Sequence, residues 1–321
     1  MISFAKVTKS EYGQLTPVTD RIYFLTDTGE QYLNGSPYSP DQPAVETQLD
    51  AIATGIKAKM HREPVCITAL NDDVDVRAYV ASAGYSYNIE VSTDQVTWTT
   101  VTVNVNGSSG GNTLATLAHT GDKVYLRGNN PDLYNFRLCC AWATQDKQCH
   151  GNLSGDLMSL LQGDSFLQSD FCPDYGFYRM NLWQTKMGQL DYDGAYLHVD
   201  TLGINALQMF ASSNCFAHLP DITANHLCSG AMGGAFQGSH STVTAYDFKI
   251  TNDLAQCSQL FSGCSTLNDL MVHFTSWPDG GITDWLKNVS ATGTFRCPTA
   301  LDTTNRGASY IPDGWTIVRI D

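Results

Sequence analysis

The sequence predicts a mainly β protein with some α: a hairpin and a helix at the N-terminus, a small β-sandwich, then an irregular stacked solenoid. Three observations predict it. Short runs rich in β-branched and aromatic residues alternate with clusters of Gly, Ser, Thr, Asn and Asp, the pattern of many short strands joined by tight turns. One stretch after residue 43 has helical spacing. In the second half an aromatic residue, followed by a Cys- or Ser-containing turn and an aliphatic residue, recurs at Trp183, Phe210, Phe236 and Phe261, at intervals of 27, 26 and 25 residues. A period in the twenties belongs to a solenoid whose turns bury one face against their neighbours. The competing arrangement is a single irregular domain in which these aromatics fill one core.

Residues 1–43 form the first unit. Arg21–Leu25 and Gln31–Leu33 are β-prone runs flanking Thr26-Asp27-Thr28-Gly29-Glu30, which supplies turn chemistry for a hairpin. Thr8-Lys9-Ser10-Glu11-Tyr12 offers a helix start, and a Pro-rich linker from Ser36 to Pro43 ends the unit. A module of this size has little core of its own and needs a docking surface or sister chains. Residues 44–60 are expected as an amphipathic helix carrying Val45, Leu49, Ile52 and Ile56 on one stripe. The stripe reads equally as an oligomer seam, a trimer included, or as one helix packed on the next domain.

Residues 61–129 read as an Ig-like β-sandwich, with runs at Val65–Ala69, Val74–Val80, Tyr85–Ser92, Thr97–Val105, Thr113–Ala118 and Lys123–Arg127. Trp98 reads first as a core or edge aromatic and second as a platform for a sugar ring. The solenoid is placed at 130–275. Residues 276–321, with Trp285, Phe295 and the run Gly314–Val318, are expected as the atypical unit that caps it.

Composition narrows the function. With 321 residues, 42% hydrophobic and 16% charged, the chain has ample material for packed cores. A net charge of −14 with no basic run argues against nucleic acid as a partner, since phosphate binding needs clustered Lys and Arg. No apolar stretch approaches the length of a membrane span, and the first residues lack the apolar segment of a secretory signal. Ten cysteines without a paired Cys-x-x-Cys unit read as reduced, packed thiols, and neither a metal site nor a cofactor is expected.

Three passages resemble known families. Val7–Tyr12 with Arg21–Gly35 resembles the N-terminal attachment module of bacteriophage head-fibre and tail-fibre proteins, including those of crAss-like and other phages of gut Bacteroidales. Tyr87–Asp94, Thr97–Thr99 and Gly121–Gly128 resemble the β-domain that precedes degenerate leucine-rich repeats in Bacteroidales and phage surface proteins. Gly151–Phe166 and Leu260–Leu267 are similar to the Treponema-type leucine-rich repeat, so the solenoid would be an irregular leucine-rich-repeat-like one. The resemblance implies a virion fibre or decoration protein, made in the host cytoplasm and carried on the virion surface. Its N-terminal module would bind phage capsid or tail proteins, and its repeats a bacterial surface glycan or protein. A bacterial cell-surface leucine-rich-repeat adhesin is the alternative. Tyr192, Tyr196, His218 and His240 stand where a regular repeat would be monotonous, as a recognition face or as ordinary drift. Asp191, Asp193 and Asp200 could furnish a carboxylate pair for glycan cleavage. In so acidic a chain they read first as solvated groups, and no catalytic residue is assigned.

Overall fold

The computed structural model describes residues 3–14, 21–25, 31–33, 36–38, 62–105, 111–142, 150–163, 171–178, 189–207, 218–238 and 243–320. The expected helix 44–60, with Val45, Leu49, Ile52 and Ile56, lies outside them, as do Trp183, Phe210 and His240. Among the described residues the protein is mainly β and only 5% helical, with a β-solenoid of about 4 turns in its C-terminal part. It divides into two compact units, Met1–Met60 and His61–Asp321.

In the first unit the expected hairpin is present: Arg21–Leu25 pairs antiparallel with Gln31–Leu33, Tyr23 opposite Tyr32. The sheet is wider than the hairpin. Ser3–Val7 adds a parallel strand on one side, and Ser36–Tyr38 an antiparallel edge strand on the other. That edge strand begins the segment expected as a linker; Pro37 fits there because an edge strand can spare one N–H. The start at Thr8 is a capping box for the one-turn helix Lys9–Tyr12. The Thr8 N–H and Oγ1 both donate to Glu11 Oε2 at 2.8 Å, and the Glu11 N–H donates back to Thr8 Oγ1 at 3.3 Å.

The second unit opens with strands within a residue or two of the β-prone runs that lie between turn clusters: Val65–Ala69, Val74–Val80, Tyr87–Ser92, Thr99–Val103, Asn112–Leu117 and Lys123–Gly128. They divide between two sheets. Val74–Val80 is central in one, flanked by Asn112–Leu117 and by Phe136–Trp142, which extends antiparallel pairing into residues assigned to the solenoid. Val74, Val76, Ala78 and Val80 are all buried, and the side chains of both sheets join one apolar cluster. Trp98 has Arg127 at 3.9 Å over its ring, and its indole N–H donates to the Gln95 carbonyl at 3.2 Å. That ring face is therefore taken by a cation.

The strand His150–Asp156 joins the antiparallel and parallel parts of the unit. It pairs antiparallel with Val65–Ala69, Leu153 opposite Ile67, and parallel with Gln189–Asp191 and Ala195–His198. Gly155 sits where the pairing shifts, at a φ of 91°, and a Cβ there would run into the Pro64 carbonyl oxygen.

Beyond it each turn adds a short parallel strand. Tyr196 lies against Asp221, Ala245 against Asp269 and Asp269 against Thr294, so a turn takes about 25 residues. Gly293–Pro298 and Trp315–Ile320, within the segment expected as a cap, carry the last rungs of this ladder. A second parallel ladder joins Phe171–Cys172, Thr201–Leu202 and His226–Leu227, and beyond it the chain runs through local turns whose backbone is paired to the next turn. The N–H groups of Gly234, Phe236 and Gly238 donate to the carbonyls of Ser258, Leu260 and Ser262, and those of Gln259, Phe261 and Gly263 to Thr283, Trp285 and Lys287. Intervening N–H groups close local turns, Ala235 to Met232 and Leu260 to Cys257. The geometry repeats with the same period: Gly234, Gln259 and Asp284 all have positive φ, and so do Gly238, Gly263 and Asn288.

Phe236 and Phe261 point inward and stack, their centroids 5.4 Å apart. Trp277, Trp285 and Trp315 each reach a carbonyl 25 positions away, on Asp302, Tyr310 and Ser290. The described cysteines are thiols, all buried except the half-buried Cys228. Burial pushes the Cys172 and Cys257 thiols far up, which keeps them neutral and inert.

Candidate functional site

On the strand Ala195–His198 the period of two puts Ala195 and Leu197 in the core and turns Tyr196 and His198 outward. The next rung repeats the pattern, with Ile222 inside and Asp221 and Thr223 outside. Register then sets Tyr196 beside Asp221 and His198 beside Thr223. The Tyr196 and His198 rings pack at 4.9 Å, His198 Nε2 lies 3.1 Å from Asp221 Oδ2, and Lys249 Nζ donates to the same oxygen at 2.8 Å. His218, entering this rung, lies across the previous one. Its N–H donates to Asp191 Oδ1 at 2.9 Å and its Nδ1 is 2.8 Å from Asp191 Oδ2. Tyr196, His198, His218 and Asp221 border a groove of about 270 Å³.

The pairing continues along the stack. Asp247 accepts from His273 Nε2 at 2.6 Å, and Arg296 donates twice to Asp269 at 2.9 and 3.0 Å. In each pair the partners belong to adjacent turns, so the outer face carries a row of side-chain ties between rungs. Each exposed tie is worth under about 1 kcal/mol; collectively they hold the outward side chains in register.

Of the four candidates for a recognition face, Tyr192, Tyr196 and His218 come together at this groove. They do not present equally. Tyr192 is 1% exposed, because Leu190 and Tyr192 alternate inward around Asp191. His218 is exposed and Tyr196 half-buried. His198 and Lys249 belong to the same array, and the signal that could have found them is their one-turn spacing from Asp221. The carboxylates considered for glycan cleavage have separate duties. Asp191 holds His218; the backbone of Asp193 exchanges hydrogen bonds with Asn152; Asp200 accepts from Asn225 Nδ2 and Thr201 Oγ1 at a corner.

Electrostatics follow these contacts. Burial, then the nearby charges of Asp156 and Glu63, pushes the Tyr196 phenol up to about 12, so it stays a neutral donor, 3.3 Å from Glu63 Oε2. Burial alone would raise the Asp221 carboxyl, but hydrogen bonds from Lys249 and His198 bring it below its ordinary value. The hydrogen bond to Asp191 raises the His218 imidazole above its ordinary value against a smaller effect of burial.

A raised histidine pKa stabilises the fold fully below the unfolded value, about 6.5, and the contribution is lost as pH rises through the higher folded value. The His218–Asp191 tie should therefore be strongest in mild acid. Because His218 is half-exposed, the gain should stay within the ~0.2–1 kcal/mol of a surface pair. An NMR titration should give His218 a higher midpoint than the same residue in an Asp191→Asn variant; coincident midpoints would remove the tie.

Among the described residues no group of His, Cys, Asp and Glu could hold a metal ion, and no helix is long and apolar enough to cross a membrane. Compared with known proteins, the chain matches no family model, no curated protein and no solved structure.

A second concave surface, which the sequence did not suggest, lies where the antiparallel sheets meet the first turns. Tyr85, Asp132, Tyr134, Tyr175, Tyr178 and Asn205 line it, from segments up to 120 residues apart in the chain.

Proposed function

We propose that the chain is a fibre or decoration protein of a bacteriophage virion, and that its second unit recognises a bacterial surface glycan or protein. The observation that carries the reading is the row of cross-turn ties on the outer solenoid face. A parallel stack with side chains fixed from rung to rung is a rigid, extended platform, so Tyr196, His198 and His218 are presented without an entropic cost of ordering them on contact. The small first unit, by its resemblance to fibre attachment modules, takes the docking role on capsid or tail. In this reading the strands of 61–129 form an Ig-like sandwich, the turns behind them are degenerate leucine-rich repeats, and Val45, Leu49, Ile52 and Ile56 gather chains into an oligomer.

The test uses the full chain, fluorescently labelled, on a panel of Bacteroidales cells. Binding to some strains and not others is expected, together with competition against phage that adsorb to the same strains. The triple variant Tyr196→Ala, His198→Ala, His218→Ala should weaken that binding at least about tenfold, a loss of about 1.4 kcal/mol. Absence of binding to every strain would remove the recognition role.

A further inference from the structure

The geometry points to the tyrosine-lined cleft as a second binding site, one for a neutral pyranose ring of a glycan. It is separate from the groove at His218 and adds a ligand class to the recognition reading above, with which it can stand or fall independently.

The cleft measures about 460 Å³, within the range of small-molecule sites and large enough for one or two sugar rings. Its walls are aromatic rings. Tyr134 and Tyr178 stack with centroids 5.0 Å apart and planes within 3°, and Tyr175 stands edge-on to both, at 5.8 and 5.6 Å. Tyr85 completes the corner at 5.2 Å from Tyr134. Tyr85 and Tyr175 remain 42% and 39% exposed. Exposed aromatic rings gathered in a concavity are the informative kind of exposure. A pyranose fits such a corner because its C–H face is apolar while its hydroxyls lie at the rim, the same division a tyrosine has between ring and phenol.

The rim supplies the polar contacts. Asp132 Oδ1 is engaged by the Tyr87 hydroxyl at 2.8 Å and the Tyr134 N–H at 3.1 Å; Oδ2 has no partner among the described residues. The Asn205 carboxamide likewise has none, on a residue held at a φ of 47°. Together they offer one strong acceptor and an amide that both donates and accepts, a set suited to vicinal hydroxyls. Asp132 is the one charged residue among the described residues of the lining, so uronic or sialic acids should be disfavoured.

The cleft is also built in advance. Leu133 N–H donates to the Gly176 carbonyl at 2.8 Å, Asn135 N–H to Tyr178 at 3.0 Å and Tyr175 N–H to Ile204 at 2.9 Å, so backbone bonds lock together the segments that bear Tyr134, Tyr175 with Tyr178, and Asn205. Buried Tyr87, whose hydroxyl burial keeps protonated, fixes Asp132 from below. A site that needs no ordering loses less on binding.

The full chain titrated with neutral methyl pyranosides and their disaccharides, by calorimetry and saturation-transfer NMR, should bind at least one with millimolar or better affinity, and the corresponding methyl uronate more weakly. Tyr175→Ala and Tyr85→Ala, both at exposed rings, should each weaken binding by about tenfold with unchanged melting, whereas Tyr175→Phe should stay within about threefold. Failure of every pyranoside to bind, or binding that survives both alanine variants, would overturn the site. Saccharide binding by a chain that ignores all cells would uphold the cleft while removing the recognition role.

Discussion

Replacing Trp285 by Ala should lower the stability of the second unit by about 3–5 kcal/mol, the range for truncating a fully buried large aromatic. Trp285 is completely buried, and its ring lies 5.8 to 6.4 Å from those of Phe248, Phe261, Phe274, Trp277 and Phe295. Its indole N–H donates to the Tyr310 carbonyl at 2.8 Å, so the truncation leaves a cavity between three turns and strips a carbonyl of its donor. Trp285→Phe keeps most of the ring contacts and should cost chiefly the hydrogen bond, about 1–3 kcal/mol. Because each turn is stabilised mainly by its neighbours, the loss should also be local. Hydrogen exchange at the Phe261 and Gly263 amides, which bond to Trp285 and Lys287, should accelerate more than at Ile67 or Val76 in the antiparallel sheets. A denaturation midpoint unchanged by Trp285→Ala would remove this picture of the solenoid core.

What the sequence revealed and what it hid divide along physical lines. The six strands between Val65 and Gly128 were legible because each carries β-branched residues bounded by turn clusters. Phe236 and Phe261 were legible because stacking at a fixed period leaves a mark on the residues that fill the interior. Harder to see was the left-handed backbone at Gln259, Asp284 and Asn288, since glycine marks those positions only in other turns, at Gly234, Gly238 and Gly263. Phe136–Trp142 escaped because its antiparallel partner, Val74–Val80, lies about 60 residues earlier and nothing local encodes the pairing. The candidate groove was half legible. Tyr196 and His218 stood out as irregularities, but His198 acquires its place only through Asp221, on the following turn. The tyrosine cleft was not legible at all, as its rings come from separate turns that tertiary backbone bonds bring together.

Arg62→Ala should be the most damaging single change near the start of the second unit, at about 3–5 kcal/mol. Arg62 NH1 donates to Asp156 Oδ2 at 2.8 Å with side chains 3% and 7% exposed, and NH2 donates to Gln162 Oε1 at 3.0 Å. Asp156 is held further by the Met158 N–H, which donates to Oδ1 at 2.9 Å. The pair thus clamps the segment entering Val65–Ala69 to the end of His150–Asp156 and the one-turn helix Ser159–Gln162, at the junction of antiparallel and parallel pairing. Removing the guanidinium alone abandons a carboxylate out of water, which is why the expected cost exceeds that of any tie on the solenoid's outer face. The double variant Arg62→Met, Asp156→Asn tests the reason. It leaves no buried charge and keeps an acceptor for the Met158 N–H, so it should recover most of the loss, even though it makes two changes instead of one. Urea denaturation of the three proteins decides the matter, and salt should affect the wild-type value little because the pair is shielded from counterions. A double variant as unstable as Arg62→Ala would mean that packing of the arginine stem, and not the uncompensated charge, sets the cost.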